Sequence, residues 1–502
     1  MSYRQLVEGQ REFFKSGATR SLEFRREQLL KLRKAIVKEA DAIKDAIHRD
    51  LRRPPEMTQL VEINGSLTEI DYVLENLKDW MKPEYVEKTM ANLLDTPMVV
   101  REPYGVCLLI TTWNYPALMF FYPLISMLAA GNTVIIKASE VSVSSSSLIS
   151  ELLARTFHKD IVAVVQGDAQ AATDLLGEHF DKIMYTGSTP IGSLIMKAAA
   201  KNVTPVVLEL GGKCPVIVES DADLQITAKR LVWGKLFNAG QTCVAPDYII
   251  TTPRVKQQLI PLLSQTIRQF YGQNVQESKD YIRIINERHF DRGESDRSDL
   301  FIPPVIVDCE VDDPVMRDEL FGPILPIITV DSATNDGIRL INKGREPLTT
   351  YIFTRDDKKV QRLIKETQSG SVLVNDVLMH YGVDTLPFGG VGFSGMGSYR
   401  GRYGFEEFSH SKAVLVRGFF GDGLASARYP PLTESSYRKL TQLLQRRSIP
   451  KIFSWLRPSI PSLIFGVVFG HATYAKNQTL DRIFLWQLEL FICLINTFNL
   501  FI

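Results

Sequence analysis

From residue 105 onward the chain alternates short apolar runs with helix-length stretches, and this rhythm limits the possible folds more than any other feature. Residues 105–111, Thr133–Lys137, 161–166 and Lys182–Thr186 read as buried strands. Between them Pro116–Ala130, 144–157 and 169–178 read as helices. Strand, helix and strand at this spacing mark a parallel sheet covered by helices. Residues 206–209 and 215–219 open a second region of the same character. The expected fold class is α/β, with two such domains.

The flanking segments differ. Residues 22–51 read as one long amphipathic helix. Leu29, Leu32, Ile36, Ile43 and Ile47 fall on one stripe, and Ser21 is placed to cap it. A second helix is expected over 56–80, after Pro54-Pro55. Residues 82–100 hold Pro83 and Pro97 and show no helical stripe. Beyond Pro430-Pro431 the composition changes. Residues 437–457 are basic, and two apolar stretches follow at 460–475 and 483–502. A membrane span needs about 20 apolar residues, and basic residues before such a stretch suit a cytosolic flank. The expectation is a basic linker and membrane-anchor tail over 431–502, with one or two spans. A helix lying on the enzyme or in the membrane interface is the competing reading.

Lysine plus arginine number 58 against 57 for aspartate plus glutamate, so bulk charge gives no reason to expect nucleic acid. The five cysteines, at 107, 214, 243, 309 and 493, form no C-x-x-C pair and no metal-ligand cluster, so no metal is expected. An odd, scattered set of thiols suits a reducing compartment. The first residues are too polar for a signal peptide.

Chemistry concentrates in a few stretches. Asn238-Ala239-Gly240-Gln241-Thr242-Cys243 puts small residues before a cysteine, which leaves the sulfur open to a pocket. A lone cysteine is more often a small buried hydrophobe; the surrounding motifs raise Cys243 above that. Glu209, among Val206 to Leu210, is a carboxylate in apolar company, and desolvation raises a carboxyl pKa towards the range of a general base. Asn114 follows a strand and precedes a helix, so its amide either donates to an oxyanion or bonds its own turn. Gly187-Ser188-Thr189-Pro190-Ile191-Gly192 leads from a strand into a helix expected over 194–200, a setting that suits a phosphate. It is not the G-x-G-x-x-G fingerprint, and alone it is an ordinary turn. Lys137 and Glu140 stand at the carboxyl end of a strand, where α/β sheets bind ligands; alone they read as a surface pair.

Taken in order, these stretches resemble the aldehyde dehydrogenase superfamily. Those that carry the likeness are Thr112 to Pro116, Lys137 to Glu140, Gly187 to Gly192, Leu208 to Lys213, the Cys243 hexapeptide, Glu319-Leu320-Phe321-Gly322-Pro323 and Leu386 to Gly390. Tyr185 to Ser188, Ala245 to Tyr248, Asn375 to Val377 and 395–399 point to class 3. The apolar tail is similar to that of its membrane-bound fatty aldehyde dehydrogenases. The resemblance implies a Rossmann-like NAD-binding domain over 1–81 and 102–209 and a catalytic domain over 210–399. It also implies a small oligomerisation arm over 82–101 and 400–430, which pairs subunits as a homodimer.

Several roles follow from the resemblance. Cys243 is the nucleophile, Glu209 the base, and Asn114 with the Cys243 N–H the oxyanion site. The cofactor contacts are Trp113, Lys137, Glu140, Gly187, Ser188, Gly192, Glu319 and Phe321. A carboxylate at Glu140 accepts ribose hydroxyls and repels a 2′-phosphate, so NAD is expected, with NADP as the alternative. The substrate is an aldehyde of medium or long chain, oxidised to the acid, and the location is the endoplasmic reticulum with the catalytic domain in the cytoplasm. Trp233 and Tyr115 are expected to line the aldehyde funnel, and Phe388 to pack as Phe321 does near the nicotinamide ring; for each of these aromatics core filling is the competing reading. Two other functions compete: a CoA-acylating relative, and a catalytically weak, membrane-attached NAD-binding relative. Two departures stand out. Ala138 replaces a family proline, and the helix end and strand that the family carries before Phe301 are shortened to 293–299. Losing a strand exposes backbone groups on its neighbours.

Overall fold

The computed structural model describes residues 2–89, 92, 94–290, 299–419, 422 and 426–444. Two compact units emerge, Met1–Lys82 with Arg101–Ser411, and Pro83–Val100 with Lys412–Ile502.

The first unit contains two six-stranded sheets. One runs in the order Gly395–Met396, Val206–Glu209, Lys182–Thr186, Val106–Ile110, Thr133–Lys137, Val162–Val165. Its strands are parallel except Gly395–Met396, which pairs antiparallel with Val206–Glu209, Gly395 opposite Glu209. Numbered along the chain, the five parallel strands take the doubly wound order 3-2-1-4-5. The order reverses between Val106–Ile110 and Lys182–Thr186, and ligands bind at the carboxyl ends of strands at such a switch. All residues of Val106–Ile110, Thr133–Lys137 and Lys182–Thr186 are buried, which explains their unbroken apolar runs. Helix Pro116–Ala130 is buried along its whole length, starts on a proline and stops at Gly131, whose φ is +90°.

The second sheet is parallel throughout, in the order Val305–Cys309, Ile324–Thr329, Tyr248–Thr251, Pro215–Val218, Thr349–Phe353, Ser371–Val374. Val206–Glu209 therefore closes the first sheet and does not open the second. The chain crosses between the sheets over 210–214.

The stretch 22–51 is two helices, Leu22–Lys38 and Ala40–Leu51, joined at Glu39 (φ −103°, ψ 14°). The first packs on Gly65–Trp80 and Pro116–Ala130, the second on Val143–Thr156. One straight stripe cannot serve both sets of partners, so the helix bends between Ile36 and Ile43. Ser21 caps as expected, its hydroxyl accepting from the Phe24 N–H at 3.1 Å. The expected helix over 56–80 carries a π turn, Gln59–Asn64, between Pro55–Thr58 and Gly65–Trp80. The helix after the glycine motif is Thr189–Ala199, five residues earlier than its apolar stripe implied, because Pro190 serves its first turn.

Residues 291–298, most of the shortened segment, lie outside the described residues. On either side the chain is closed by hydrogen bonds. The Ile284 N–H donates to the Leu300 carbonyl at 3.1 Å, Arg283 pairs with Asp299, and the Tyr281 hydroxyl donates to the Ile302 carbonyl at 2.8 Å.

A three-stranded sheet runs in the order Glu84–Tyr85, Thr96–Pro103, Ser409–Val416. Within the second unit Arg417 binds Asp95 through two hydrogen bonds of 2.6 and 2.9 Å. Among the described residues no helix is long and apolar enough to cross a membrane. Both apolar stretches, 460–475 and 483–502, lie outside the described residues.

Candidate active site

The carboxyl ends of the first sheet open onto a cavity of about 660 Å³ in the first unit. Cys243, Glu209, Asn114, Trp113, Gly187, Ser188, Glu319 and Phe321 all line it, as do Tyr115, Trp233 and Phe388. Lys137, Glu140 and Gly192 do not. Lys137 is buried below the strand end, where its ammonium donates to the Ala138 carbonyl and to Glu140, both at 2.8 Å. Gly192 packs the helix onto the sheet, since a Cβ there would stand 2.8 Å from Leu210.

Cys243 ends a tight loop after helix Leu224–Leu236. Gly240 has φ +78°, and a Cβ there would lie 2.0 Å from the Gly322 carbonyl oxygen, so only glycine fits. Among Cys107, Cys214, Cys243 and Cys309, Cys243 alone is not buried. Enclosure pushes its thiol well above the ordinary range, and the nearby carboxyls of Glu209 and Glu319 add to this.

Glu209 ends its strand inside the cavity and is 2 % exposed. Its Oε1 has no hydrogen-bond partner among the described residues. Burial alone holds its carboxyl pKa well above the usual 4.5.

Asn114 does not bond its own turn. Its Nδ2 donates at 3.0 Å to the carbonyl of Gln241, in the loop that ends at Cys243. An amide nitrogen carries two hydrogens, so a second donor remains for a ligand. The same loop is tied at Asn238, whose Nδ2 donates to the carbonyls of Asn114 (3.0 Å) and Gln241 (2.9 Å). The Gln241 side chain is held by Asn238, Arg283 and Ile285.

The cofactor side fits a dinucleotide. Helix Thr189–Ala199 points its N-terminus at the switch point with no acidic residue in its first turn. A Cβ on Gly187 would lie 2.1 Å from the Tyr185 hydroxyl, and one on Gly211 would lie 2.0 Å from the Glu319 carboxylate. Both glycines therefore hold open a cradle that larger residues would fill. Burial, with Asp247 nearby, pushes the Glu319 carboxyl to about 8. Trp113 meets the rings of His289 and Phe321 edge-on, centroids 4.7 and 5.5 Å apart. Phe321 has a φ of +47°, unusual for an aromatic residue.

The far wall was not foreseen from the sequence. Tyr381, Tyr399, Arg400 and Asp384 line it, with Leu60 and Val61 from the π turn. Arg400 is 2 % exposed and lies against the stacked rings of Tyr122 (4.5 Å) and Tyr381 (5.0 Å). It pairs with Glu69 at 3.2 Å and with Asp384 at 2.6 Å. A signal was present: Glu62 and Glu69 fall on the same face as Ile63 and Ile70, and carboxylates in a buried stripe need partners.

A doubly wound sheet beside a second parallel sheet, with a thiol and a buried carboxyl in one cavity, defines an α/β protein of the class that binds a ligand at the carboxyl ends of its strands. Comparison with known proteins narrows this. The aldehyde dehydrogenase family profile matches residues 2–295 and 292–414, two pieces that meet at the shortened segment. The chain is 43% identical over 440 residues to mouse "Aldehyde dehydrogenase, dimeric NADP-preferring", covering 85% of this chain and 97% of the relative. It is 42% identical over 439 residues to mouse "Aldehyde dehydrogenase family 3 member A2", covering 85% and 90%. A structure of the substrate-bound state of Staphylococcus aureus AldH superposes with a TM-score of 0.84 at 37% identity, over 87% of this chain and 98% of that one. The chain belongs to the aldehyde dehydrogenase family and is an oxidoreductase acting on the aldehyde group.

Proposed function

We propose that this protein oxidises medium- and long-chain aldehydes to carboxylic acids through a cysteine thioester, with NAD as cofactor and NADP as the alternative. The observation that carries the reading is the convergence of Cys243, Asn114 and Glu209 on one cavity, with the Glu209 Oε1 buried and unpaired. A thiolate is costly in this enclosed place, so the Cys243 thiol passes its proton to a water molecule as it attacks. Attack on the aldehyde carbon moves its charge onto the carbonyl oxygen, where the free Asn114 N–H and the Cys243 N–H receive it. The nicotinamide, when bound, supplies the hydride acceptor that turns the thiohemiacetal into a thioester. Glu209 then takes a proton from water on its unpaired oxygen, and the hydroxide formed releases the acid. A base poised in this way favours hydrolysis over transfer to CoA.

Gly187 and Ser188 hold the pyrophosphate, while Glu319, Phe321 and Trp113 hold the nicotinamide side. Lys137 and Glu140 take the adenosine ribose, for which their mutual ion pair must open, and Gly192 lets the backbone approach. Leu60, Val61, Leu118, Met119 and Phe237 give the substrate end of the cavity an apolar wall that suits an alkyl chain. Residues 1–81 and 102–209 serve the cofactor and 210–399 the chemistry. Residues 82–101 with 400–430 pair two copies, in keeping with relatives named dimeric. Residues 431–502 attach the enzyme to the endoplasmic reticulum membrane with its catalytic domain in the cytoplasm.

Purified protein assayed with NAD and saturated aldehydes of increasing length tests the reaction. NADH and acid in equal amounts, with kcat/KM rising with chain length, is the expected result. Acyl-CoA formed only on addition of CoA would overturn it. Fractionation with and without a cut near Pro431 tests attachment: full-length protein should sediment with membranes and the shortened one should not.

A further inference from the structure

The groups that set the oxyanion site belong to two distant segments, 114–115 and 238–242, and one side chain holds both. Arg53 is fully buried. Its Nη2 donates to the Asn114 backbone carbonyl and to the Asn238 Oδ1, each at 2.6 Å. Its guanidinium carbon lies 4.7 Å from the centroid of the Tyr115 ring, and the Tyr115 hydroxyl lies 2.8 Å from the Thr242 hydroxyl. Its Nη1 pairs with Glu62, itself fully buried. The other Glu62 oxygen accepts the Leu118 N–H at 3.0 Å, in the first turn of the helix that Asn114 precedes.

We propose that Arg53 is the positioning residue of the oxyanion site, fixing Asn114 and the nucleophile loop in register for the carbonyl oxygen. This rests on the role proposed above for Asn114. The geometry needs a planar fork: two oxygens from different segments converge on one nitrogen while a second nitrogen holds the carboxylate. Asn238 is oriented by accepting from Arg53, and its own amide then donates to the Asn114 and Gln241 carbonyls. Gln241 in turn accepts from Asn114 Nδ2, so the free Asn114 N–H has a set direction only while Arg53 is in place. Arg53 does not line the cavity and touches no substrate. The Gln59–Asn64 π turn places Glu62 inward against it, and π turns recur at functional sites.

The test is a double-mutant cycle between Arg53 and Asn114, read by pre-steady-state NADH formation. Arg53→Lys keeps the charge opposite Glu62 but loses the fork. It should lower the rate constant of NADH formation about tenfold or more, with its amplitude per subunit and the NAD affinity unchanged within about twofold. In the Asn114→Ala background the same change should cost less than about twofold, because its route of action is gone. A fall in amplitude at unchanged rate constant would mean lost folded enzyme and would overturn the proposal. So would losses that multiply in the double variant, or a fully active Arg53→Lys. If Arg53→Lys does not fold, Arg53→Met with Glu62→Met removes the pair together and is read the same way. Asn114→Ala at the wild-type rate would overturn the oxyanion role itself, an outcome separable from failure at Arg53.

Discussion

The two walls of the cavity are bonded in opposite ways. On the Cys243 side, Asn114, Asn238, Gln241 and, behind the wall, Arg53 form a densely bonded set that keeps one Asn114 N–H for a ligand and leaves the Arg53 Nε without a partner among the described residues. On the Glu209 side, buried polar atoms go short. Glu209 Oε1 and Arg400 Nη1 have no partner among the described residues, and the hydroxyls of Tyr381 and Tyr399 make no well-formed hydrogen bond. A densely bonded wall resists movement and suits holding charge at a fixed point. An unsaturated wall costs stability, and it leaves acceptors free for a mobile water. The division matches the two stages of the proposed reaction, in which geometry would govern formation of the acyl-enzyme and proton transfer its hydrolysis.

The sharpest test of the division is removal of the nucleophile. Cys243→Ala should reduce NADH formation to the buffer blank, since the other described cysteines are buried and none of them lines the cavity. Asn114→Ala should come next. Losing a donor at an oxyanion costs on the order of 10²–10³ in kcat, and the fall should appear in the first NADH formed and not only at steady state. Glu209→Gln strikes the opposite wall. It should release about one NADH per active site and then turn over slowly, by roughly 10²–10⁴ relative to wild type. Equal loss of the burst would dissolve the distinction between the walls.

The pH profile tests the same point more gently. Burial holds Glu209 neutral above the ordinary carboxyl range, so deacylation should rise with pH through that raised value. Glu209→Gln should lose this limb. A raised carboxyl pKa also means stability present at low pH and lost as pH rises through it. Melting curves of Glu209→Gln should therefore depend less on pH above 4.5 than those of wild type. The smallest effect expected is at Tyr399→Phe, which deletes an under-bonded hydroxyl. Activity should change by less than about threefold, and stability should hold or rise by up to about 1 kcal/mol. A large loss of activity would assign Tyr399 to the chemistry.

The densely bonded wall and the open wall were not equally legible in the sequence. Cys243, Asn114 and Glu209 each sit in a compact local motif, and strands buried on both faces print as plain apolar runs. The strands and the motifs around the cavity therefore followed from local patterns, whereas the order of strands in each sheet came only with their pairing. The break at Glu39 did not, because the stripe continues through it and only the choice of packing partners bends the helix. Arg53 was invisible for another reason. Its partners lie 61 and 185 residues away, and no local spacing links Arg53 to Asn114 or Asn238. Arg400 was not singled out in the sequence either: it has a φ of +87° and pairs with Glu69, 331 residues away, so no local pattern marks it.

The π turn at Gln59–Asn64 has a consequence for how this chain tolerates insertions and deletions. A π turn is an α-helix with one residue too many, so deleting one residue there would restore regular bonding. Each residue advances an α-helix by about 100°, and the deletion would swing Glu62 out of line with Arg53 while leaving Gly65–Trp80 intact. The regular bonding gained would not offset the cost, because breaking a fully buried Arg53–Glu62 pair leaves both charges uncompensated, at about 3–5 kcal/mol. A library of single-residue deletions across this stretch should therefore lose stability and aldehyde oxidation together at the π turn.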